Sequence, residues 1–535
     1  MQPDRPDTKI ELQTATPPAE NHTLTPIRQD ERIQALDVVR GFALLGIFLM
    51  NVEWFNRPIA EIDAGLPLHA HGVDYFAGWM VYTFVRGKFW TMFSLLFGMG
   101  FAVMLSRAER AGRDFVAPYL RRIVALALIG AAHYILIWTG DILFSYSLGA
   151  AALMILFFAE PVLLLIAIGV SALLGAALGM DGFVGLATSL SVVALVAWYI
   201  RGNSRLSLAG SEVPIVSVML AVVAVQAMVI GIVIKLPAAI FAGVIMGVSA
   251  WLAGRFHDPP LARLWRAGSF LYLAPFLAMA LSGLMVIVAT QLHSTPTAEQ
   301  TIQTQKDRAE YAEDVREETA AMTGSSYATA VKYRAGVFSE EAGNDFIFPL
   351  IALGMFLIGA GFVRSGVMAD TGAHLPLFRR MTLYGLSLGL GLSLSSSAIA
   401  VTDMPGQNDG PYRLAAGLQM LSNLPACLGY VGLLVLMLHS RGWLSRISIL
   451  APAGRMALTN YLCQSIVQSV FFYGYFLGHW GMPRAWQVVF VTAVYSVQVV
   501  ISHWWLSRFR YGPMEWLWRA ATYWRLPAMR RTASD

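Results

Sequence analysis

Ionisable and amide side chains that lie inside long apolar stretches are the residues of this sequence that could do chemistry. A charged group at the centre of a membrane helix costs about 2.5–3.5 kcal/mol on insertion scales. Such groups almost always pair with one another, face a wet cavity, or mark a substrate or ion path. Three clusters of this kind occur here, and each also has a purely structural explanation.

The segment GAAHYILIWTGDIL contains His133 and, eight positions later, Asp141. On a straight helix these residues would lie about 12 Å apart along the axis, too far to bond. Gly140, however, could break the helix and turn the carboxylate back. Because histidine titrates near neutral pH, His133 could act as a general base or carry an acyl group, with Asp141 orienting it or binding an acceptor. The structural alternative is a histidine that only hydrogen-bonds a neighbouring helix.

The motif LDVVRG opens the first apolar stretch with Asp37 and Arg40, which share a helix face and can pair. Asn51 follows on nearly the same face. We predict that these three residues, together with Lys88 in the next stretch, bind substrate, with the cationic groups contacting anionic donor or lipid groups. The alternative is a structural ion pair whose arginine reaches the membrane interface.

The segment GRMALTNYLCQSIVQS contains Arg455, Asn460, Gln464 and Gln468. The three amides recur every four residues and form a polar stripe, which must face protein or a wet cavity. We assign Arg455, Asn460 and Gln464 to substrate binding, and we add Arg334, which ends TGSSYATAVKYR in a long polar loop. Hydrogen bonding between helices, at about 0.6 kcal/mol per contact, is the alternative for the stripe. No zinc-type spacing with acidic partners predicts a metal site.

Membrane helices are the elements that must position these residues. Of 535 residues, 56% are hydrophobic and 13% charged, whereas soluble domains carry about 25% charged residues. Fourteen apolar runs of spanning length lie between positions 36 and 506. The sequence therefore predicts an all-α protein, a polytopic transmembrane helix bundle of about 12–14 spans. In the second run, Arg86-Gly87-Lys88 predicts an interfacial helix at 73–85 and a span at 89–105.

The arginines are concentrated in alternate short loops, which is the positive-inside pattern of bacterial inner-membrane proteins. We therefore attribute the net charge of +5 to membrane insertion and expect no nucleic-acid partner. The pattern places both termini in the cytoplasm and the loop 292–343 outside. Glu515, in the basic and aromatic segment RFRYGPMEWLWR, is expected to pair with a neighbouring arginine. Cys427 and Cys463 both lie in apolar runs and predict no disulfide framework.

The chain divides by composition into six parts. These are a flexible cytoplasmic tail (1–32), N-terminal membrane helices (33–159), extra membrane helices (160–268), a span with a long, partly helical outside loop (269–343), C-terminal membrane helices (344–506) and a basic aromatic tail (507–535). The extra helices contain almost no ionisable residue within their spans, so we predict that they line no site.

Five motifs, in this order, resemble the YeiB family of bacterial inner-membrane proteins: LDVVRGFALLGIFLMN, GKFWTMFSLLFGMGF, RRIVALALIGAAHYILIWTGDIL, GRMALTNYLCQS and RYGPMEWLWRAATY. The resemblance covers roughly 32–147 and 324–524, and the region from about 160 to 265 looks like an insertion. The family is uncharacterised and is distantly similar to multispan membrane acyltransferases. In many of those enzymes a histidine closes the first span. Met50-Asn51-Val52 stands there in this chain, so His133 would have to serve instead.

The resemblance implies an acyltransferase-like enzyme without a bound cofactor. Such an enzyme would move an acyl group from a cytosolic donor, for which acyl-CoA is a candidate, to an envelope sugar or lipid. Its partners would be membrane lipid and the small-molecule, glycan or lipid substrate. A transporter or lipid-handling protein could use the same polar residues without covalent chemistry. A membrane scaffold with structural polar contacts is the third hypothesis.

The predicted topology can be tested by cysteine labelling from the periplasmic side. A cysteine placed at position 325, in the long loop, should react with an impermeant reagent, and one at position 110 should not. Labelling at position 110 alone would refute this topology.

Overall fold

The computed structural model describes residues 33–531 apart from residue 64 and residues 203–204, 209–210, 234–236, 256–259, 293–297, 343–345 and 404–409. The predicted tail 1–32 lies outside the described residues. The first half of the helices comprises α1 (Gln34–Trp54), α2 (Ile59–Asp63), α3 (Gly72–Phe84), α4 (Lys88–Ala111), α5 (Val116–Leu136), α6 (Leu143–Phe158), α7 (Pro161–Leu178), α8 (Asp181–Arg201), α9 (Ile215–Val233) and α10 (Pro237–Arg255). The second half comprises α11 (Pro260–Leu292), α12 (Ala298–Thr323), α13 (Tyr327–Glu341), α14 (Ile347–Arg364), α15 (Leu375–Ile399), α16 (Gly410–Leu438), α17 (Ala451–Arg455), α18 (Ala457–Phe472), α19 (Arg484–Arg508) and α20 (Pro513–Tyr523).

The remaining regular structure is small. A 3-10 helix (Trp443–Leu450) precedes α17, and one antiparallel hairpin of β1 (Arg205–Leu208) and β2 (Ser211–Pro214) joins α8 to α9. The all-α prediction is therefore confirmed. The helix predicted in the long polar loop is also present, as α12.

Ten helical stretches in the described part of the chain are long and apolar enough to cross a membrane. They are α1, α3 with α4, α5, α7, α8, α11, α14, α15, α16 and α19. Shorter apolar helices lie in α6, α9 and α10, and each of the fourteen predicted runs coincides with a helix or a pair of helices. The chain is a multi-pass membrane protein with the predicted helical-bundle fold.

The centre of the bundle is built from α1, α4, α14 and α16, whose apolar side chains are largely buried. Helices α4 and α14 approach closely because glycine stands at their crossing. A Cβ atom on Gly98 would lie 2.1 Å from the backbone oxygen of Phe356. By contrast, α7 exposes large apolar side chains such as Val162 and Leu163, as a lipid-facing helix does.

The bundle has two chemically different ends. At the arginine-rich end, Arg364 pairs with Glu109 at 3.2 Å, and Trp518 Nε1 donates to the carbonyl of Arg122. At the opposite end, Glu53 pairs with both Arg57 and Arg484, at 2.8 and 3.4 Å. Helix α1 runs from the first end to the second.

The second apolar run is broken where the sequence predicted. Helix α3 ends at Phe84, α4 begins at Lys88, and Gly87 between them has φ +81°, a left-handed conformation that glycine adopts readily. The break frees carbonyl groups that a continuous helix would satisfy, and a buried carbonyl group needs another donor. The donors are Gln419 Nε2 to Tyr82 O, Ser393 Oγ to Thr83 O, Tyr430 OH to Phe84 O, and Lys88 Nζ to Arg86 O.

These side-chain donors stabilise the break between α3 and α4 and join it to neighbouring helices. Ser393 and Gln419 come from α15 and α16, and Ser393 also accepts a hydrogen bond from Lys88 Nζ at 3.1 Å. Lys88 itself is completely buried. The broken segment therefore holds α15 and α16 against the start of α4.

We expect Ser393→Ala to destabilise the protein, because it leaves the Thr83 carbonyl and Lys88 short of a partner. The cost should be about 1–3 kcal/mol, seen as a lower melting temperature of the detergent-solubilised protein. Ser395→Ala is the matched control, since Ser395 is exposed and bonds only to its own helix at Gly391 O. Equal melting temperatures for the two variants would show that the break does not need its side-chain donors.

Candidate active site

His133 and Asp141 form a buried hydrogen-bonded pair. Helix α5 ends at Leu136, and the chain turns through Gly140 before α6 begins. The turn brings Asp141 Oδ1 to 2.8 Å from His133 Nδ1, although the two residues are eight positions apart. Asp141 Oδ2 accepts a hydrogen bond from the backbone N–H of Phe144 at 2.8 Å. Both carboxylate oxygens are thus fixed, and the helix is broken between Leu136 and Leu143, starting four residues before Gly140, where the sequence suggested the break.

The turn that carries Asp141 is anchored to the end of α1. Trp138 is almost fully buried, its ring stacks on Phe55 at a centroid distance of 4.4 Å, and its Nε1 donates to Trp54 O at 3.3 Å. A Cβ atom on Gly140 would overlap the ring of Trp138 at 2.2 Å, so glycine is needed for the turn to pack there.

The other nitrogen of the histidine is unused. His133 Nε2 is buried and has no hydrogen-bond partner within the part of the chain that the structure describes. The ring packs against Tyr461 of α18 at a centroid distance of 5.3 Å. A histidine held by a carboxylate at Nδ1 with Nε2 unengaged can exchange a proton at Nε2.

A cavity of about 470 Å³ lies beside the His133–Asp141 pair, at the end of the bundle opposite the arginine-rich end. Its polar and ionisable wall residues are Asn51, Arg86, Tyr134, Thr139, Asp141, Ser145 and Glu341. Its aromatic wall residues are Trp54, Trp90, Phe144, Phe338 and Phe348. Asp141 is part of the wall, whereas His133 lies behind it, one hydrogen bond away. The structure thus brings Asn51 and the His133–Asp141 pair together at one cavity.

Three ionisable wall residues were not among the predicted site residues. Tyr134 OH donates to Glu341 Oε2 at 2.5 Å, which joins α5 to α13 across the cavity wall. Arg86 was noted only as an interruption of an apolar run, although a cation in such a run is itself a functional signal. Glu341 lies in the polar loop, where a carboxylate carries no such signal.

Two predicted cationic site residues act on backbone near the cavity and do not line it. Lys88 is bonded into the break between α3 and α4, next to the wall residue Gly87. Arg334 is fully buried and donates from Nε to Ile135 O and from Nη2 to Leu136 O, at 3.0 and 3.1 Å. It therefore caps the C-terminal end of α5, immediately before the turn that carries Asp141.

The polar stripe of α18 binds α19 instead of lining the cavity. Asn460 Nδ2 donates to Ser502 Oγ at 3.0 Å, and Gln464 Nε2 donates to Gln498 Oε1 at 2.9 Å. Gln498 Nε2 returns a hydrogen bond to Asn460 O at 3.1 Å. These contacts correspond to the helix–helix alternative considered for the stripe.

The remaining predicted residues lie at the arginine-rich end. Arg40 pairs with Asp37 at 2.9 Å, and Arg455 also lies near Asp37. Arg40 is roughly 16 Å from Asn51 along the axis of α1, so the predicted stripe of the first span is divided between the two ends.

The expectation that Glu515 pairs with an arginine is wrong. Glu515 Oε1 accepts hydrogen bonds from the backbone N–H groups of Leu458 and Thr459, at 2.6 and 3.1 Å, and Oε2 accepts from Thr459 Oγ1. These amides belong to the first turn of α18, where free N–H groups and the helix dipole favour a carboxylate.

Helices α12 and α13 lie beside the cavity, at the end of the bundle opposite the arginine-rich end. Glu341 and Phe338 of α13 belong to the wall, and Glu318 of α12 accepts a hydrogen bond from the backbone N–H of Ile59, another wall residue, at 2.9 Å. Burial, helped by nearby carboxylates of which Glu341 is the first, raises the pKa of Glu318 to about 7, although the hydrogen bond from Ile59 acts in the opposite direction. Among the described residues, no group of three or more His, Cys, Asp and Glu side chains is placed to hold a metal ion.

Comparison with known proteins finds relatives that have no described activity. A family model described as a protein of unknown function (DUF418) matches residues 362–525. The uncharacterized protein YxaH of Bacillus subtilis (strain 168) is 27% identical over 94% of this chain and 96% of its own length. The uncharacterized protein YeiB of Escherichia coli (strain K12) is 26% identical over 92% of this chain and 96% of its own length. No solved structure matches this chain.

The chain is thus a multi-pass membrane protein in which residues 362–525 match the DUF418 family model. Its resemblance to the YeiB family is confirmed by similarity along nearly the whole chain. The DUF418 match includes α15 to α20, and with them Arg455 and Glu515, whereas His133 and Asp141 lie outside it.

The raised pKa of Glu318 predicts a pH-dependent contact between α12 and α2. A carboxyl group whose pKa is higher in the folded state than its usual 4.5 stabilises that state fully below pH 4.5 and loses this effect as the pH rises through about 7. Hydrogen exchange in α2 and α12, corrected for intrinsic rates, should therefore be faster at pH 8 than at pH 5.5.

Glu318→Gln provides the control for this prediction. The amide can still accept the hydrogen bond from Ile59 but does not titrate, so exchange in the variant should be the same at both pH values. An equal increase in wild type and variant would mean that another group causes the effect; Glu61, Asp314 and Glu341 are the nearest carboxylates.

Proposed function

We propose that this protein is a membrane-bound acyltransferase that uses the His133–Asp141 pair to activate an acceptor at the adjoining cavity. The observation that carries the proposal is the geometry of the pair: Asp141 holds Nδ1 at 2.8 Å, and Nε2 is left without a partner. A carboxylate in this position fixes the tautomer of the ring and stabilises the imidazolium that forms when Nε2 takes a proton.

The proposed reaction conserves atoms and charge. Nε2 of His133 removes the proton from an acceptor hydroxyl as its oxygen attacks the carbonyl carbon of the acyl donor. When the tetrahedral intermediate collapses, the bond to the leaving group of the donor breaks, and the proton passes from Nε2 to that group. Acyl-CoA from the cytosol is the candidate donor, and its thiol would be the leaving group; the proposal requires its thioester to reach this cavity through the bundle. The reaction requires the acceptor to displace the wall at Asp141 far enough to reach Nε2.

The cavity wall favours an acceptor with several polar groups. Glu341 and Asn51 can accept hydrogen bonds from hydroxyl or amine groups, and the aromatic residues offer flat apolar faces. An envelope sugar or a lipid head group has this combination. We further propose that the protein lies in a bacterial inner membrane with both termini and the arginine-rich end in the cytoplasm, so that the cavity is on the periplasmic side.

Transport or lipid handling is the second candidate, and the break between α3 and α4 favours it. Discontinuous helices form the substrate sites of many transporters, because unwound backbone near the middle of a membrane can bind a ligand. Arg86 and Gly87 of the break belong to the cavity wall. A transporter would need the His133–Asp141 pair only as a binding group or a proton carrier.

The acyltransferase proposal is tested with His133→Gln and Asp141→Asn in a strain that lacks the native protein. Glutamine retains one hydrogen bond but cannot transfer the proton, so acylation of envelope glycans and lipids should fall by about 10²–10⁴-fold. The matched control is His439→Gln, at a histidine of the arginine-rich end that bonds to Val435 O of its own helix.

Membrane abundance of each variant is measured alongside the acylation state. Normal acylation by His133→Gln at normal abundance would remove this residue from the mechanism. An identical acylation state in the deletion strain and in wild type would remove the acyltransferase proposal and leave transport as the better candidate.

A further inference from the structure

Five arginines from separate parts of the chain gather at the arginine-rich end. They are Arg40 of α1, Arg122 of α5, Arg455 of α17, Arg519 of α20 and Arg531 near the end of the described chain, and we call them the arginine cluster. Arg122 lies close enough to Arg40 and Arg519, and Arg455 to Arg531, for their charges to repel. Like charges brought this close destabilise the protein unless an anion lies between them.

Little negative charge within the described residues offsets this cluster. Asp37 bonds to Arg40 at 2.9 Å and attracts Arg455. Glu515, only a few residues from Arg519, is occupied by the backbone N–H groups at the start of α18. The arginine cluster therefore retains a large excess of positive charge.

Arg455 lacks acceptors that a buried guanidinium requires. Its Nε and Nη2 atoms are buried and have no hydrogen-bond partner among the described residues, and the same is true of Arg531 Nε. A buried donor without an acceptor destabilises the folded protein, and more so when it is charged. An exposed arginine such as Arg446, on the neighbouring 3-10 helix, incurs no such cost because water solvates it.

Aromatic rings hold two of the guanidinium groups in place. Arg122 lies over Trp518 at 3.7 Å, and Arg519 lies over Tyr511 at 4.7 Å. Trp518 also donates from Nε1 to Arg122 O at 3.0 Å, which fixes α20 against α5. Arginines oriented in this way lose little conformational freedom when they bind an anion.

We propose that the arginine cluster is a binding site for a phosphate group. Several oxygens on one tetrahedral anion can accept from Arg455 and from neighbouring arginines together, and guanidinium forks match phosphate geometry. The phosphate can belong to a phospholipid head group or to a soluble molecule. The proposal retains the predicted role of Arg40 and Arg455 in contacting an anionic group, and because it is tested by binding alone, its failure is distinguishable from failure of the acyltransferase proposal.

The test measures thermal unfolding of the full-length protein in a neutral detergent and a phosphate-free buffer. One arm adds inorganic pyrophosphate, with sodium chloride at equal ionic strength as its control. The other arm adds short-chain phosphatidic acid, with the diacylglycerol of the same chains as its control. Stabilisation by either phosphate compound beyond its control supports the site. Phosphatidic acid alone indicates a lipid head group, and pyrophosphate, with or without phosphatidic acid, indicates a soluble ligand.

Variants connect any binding to the arginine cluster. Arg455→Gln should weaken the apparent affinity by about tenfold or more, since it removes a positive charge and charge-assisted hydrogen bonds to the phosphate. Arg446→Gln removes the same charge nearby and should leave the affinity unchanged. Arg519→Gln, on the C-terminal helix α20, provides a second cluster variant if Arg455→Gln does not fold.

Two results would overturn the proposal. One is the absence of stabilisation by both phosphate compounds. The other is an equal loss of affinity in Arg446→Gln and in the folded cluster variants, which would show a general attraction of anions to this end of the protein.

Discussion

The backbone of a membrane protein must satisfy its own hydrogen bonds, and the break between α3 and α4 is where this constraint shapes the bundle most. The carbonyls freed by the break are met by side chains of α15 and α16, including Ser393 and Gln419, and by Lys88. These contacts fix four helices relative to one another. They also place Arg86 and Gly87 in the cavity wall. The position of the cavity therefore depends on polar contacts that a continuous helix would not need.

The same rule operates at the other discontinuities of the bundle, and charged side chains supply the partners there. Arg334 caps the end of α5, and Glu515 caps the start of α18. Arg334 is a cation at a helix C-terminus and Glu515 an anion at a helix N-terminus, so each side chain has the charge opposite to that of the helix dipole at that terminus. A residue that the sequence suggests as a candidate for chemistry can thus have the structural role of satisfying backbone groups at a helix end. Only the atoms that keep no partner, such as His133 Nε2 and Nε of Arg455, still point to a ligand.

The helices and the break could be predicted from the sequence because both depend on local composition. Apolar runs specify spanning helices, and Arg86-Gly87-Lys88 interrupts one of them visibly. The contact between His133 and Asp141 could be predicted only on the assumption that the helix breaks at Gly140. The partner of Arg334 was not predictable, since Ile135 is 199 positions away, and the partner of Gln464 lies on another helix. Such contacts depend on how helices pack, which apolar periodicity does not specify because these helices are apolar on most faces.

Helix α13 forms part of the cavity wall and also helps to hold the turn that carries Asp141 in place. This helix supplies Phe338 and Glu341 to the wall, and through Arg334 it holds the last carbonyls of α5, a few residues before Asp141. Swinging α13 aside would open the wall and, in the same movement, uncap α5 and release the turn. A position of α13 away from the wall would therefore leave the turn that carries Asp141 without its anchor at the end of α5. A change at the contact between Arg334 and the end of α5 would thus disturb both the wall of the cavity and the geometry of the His133–Asp141 pair.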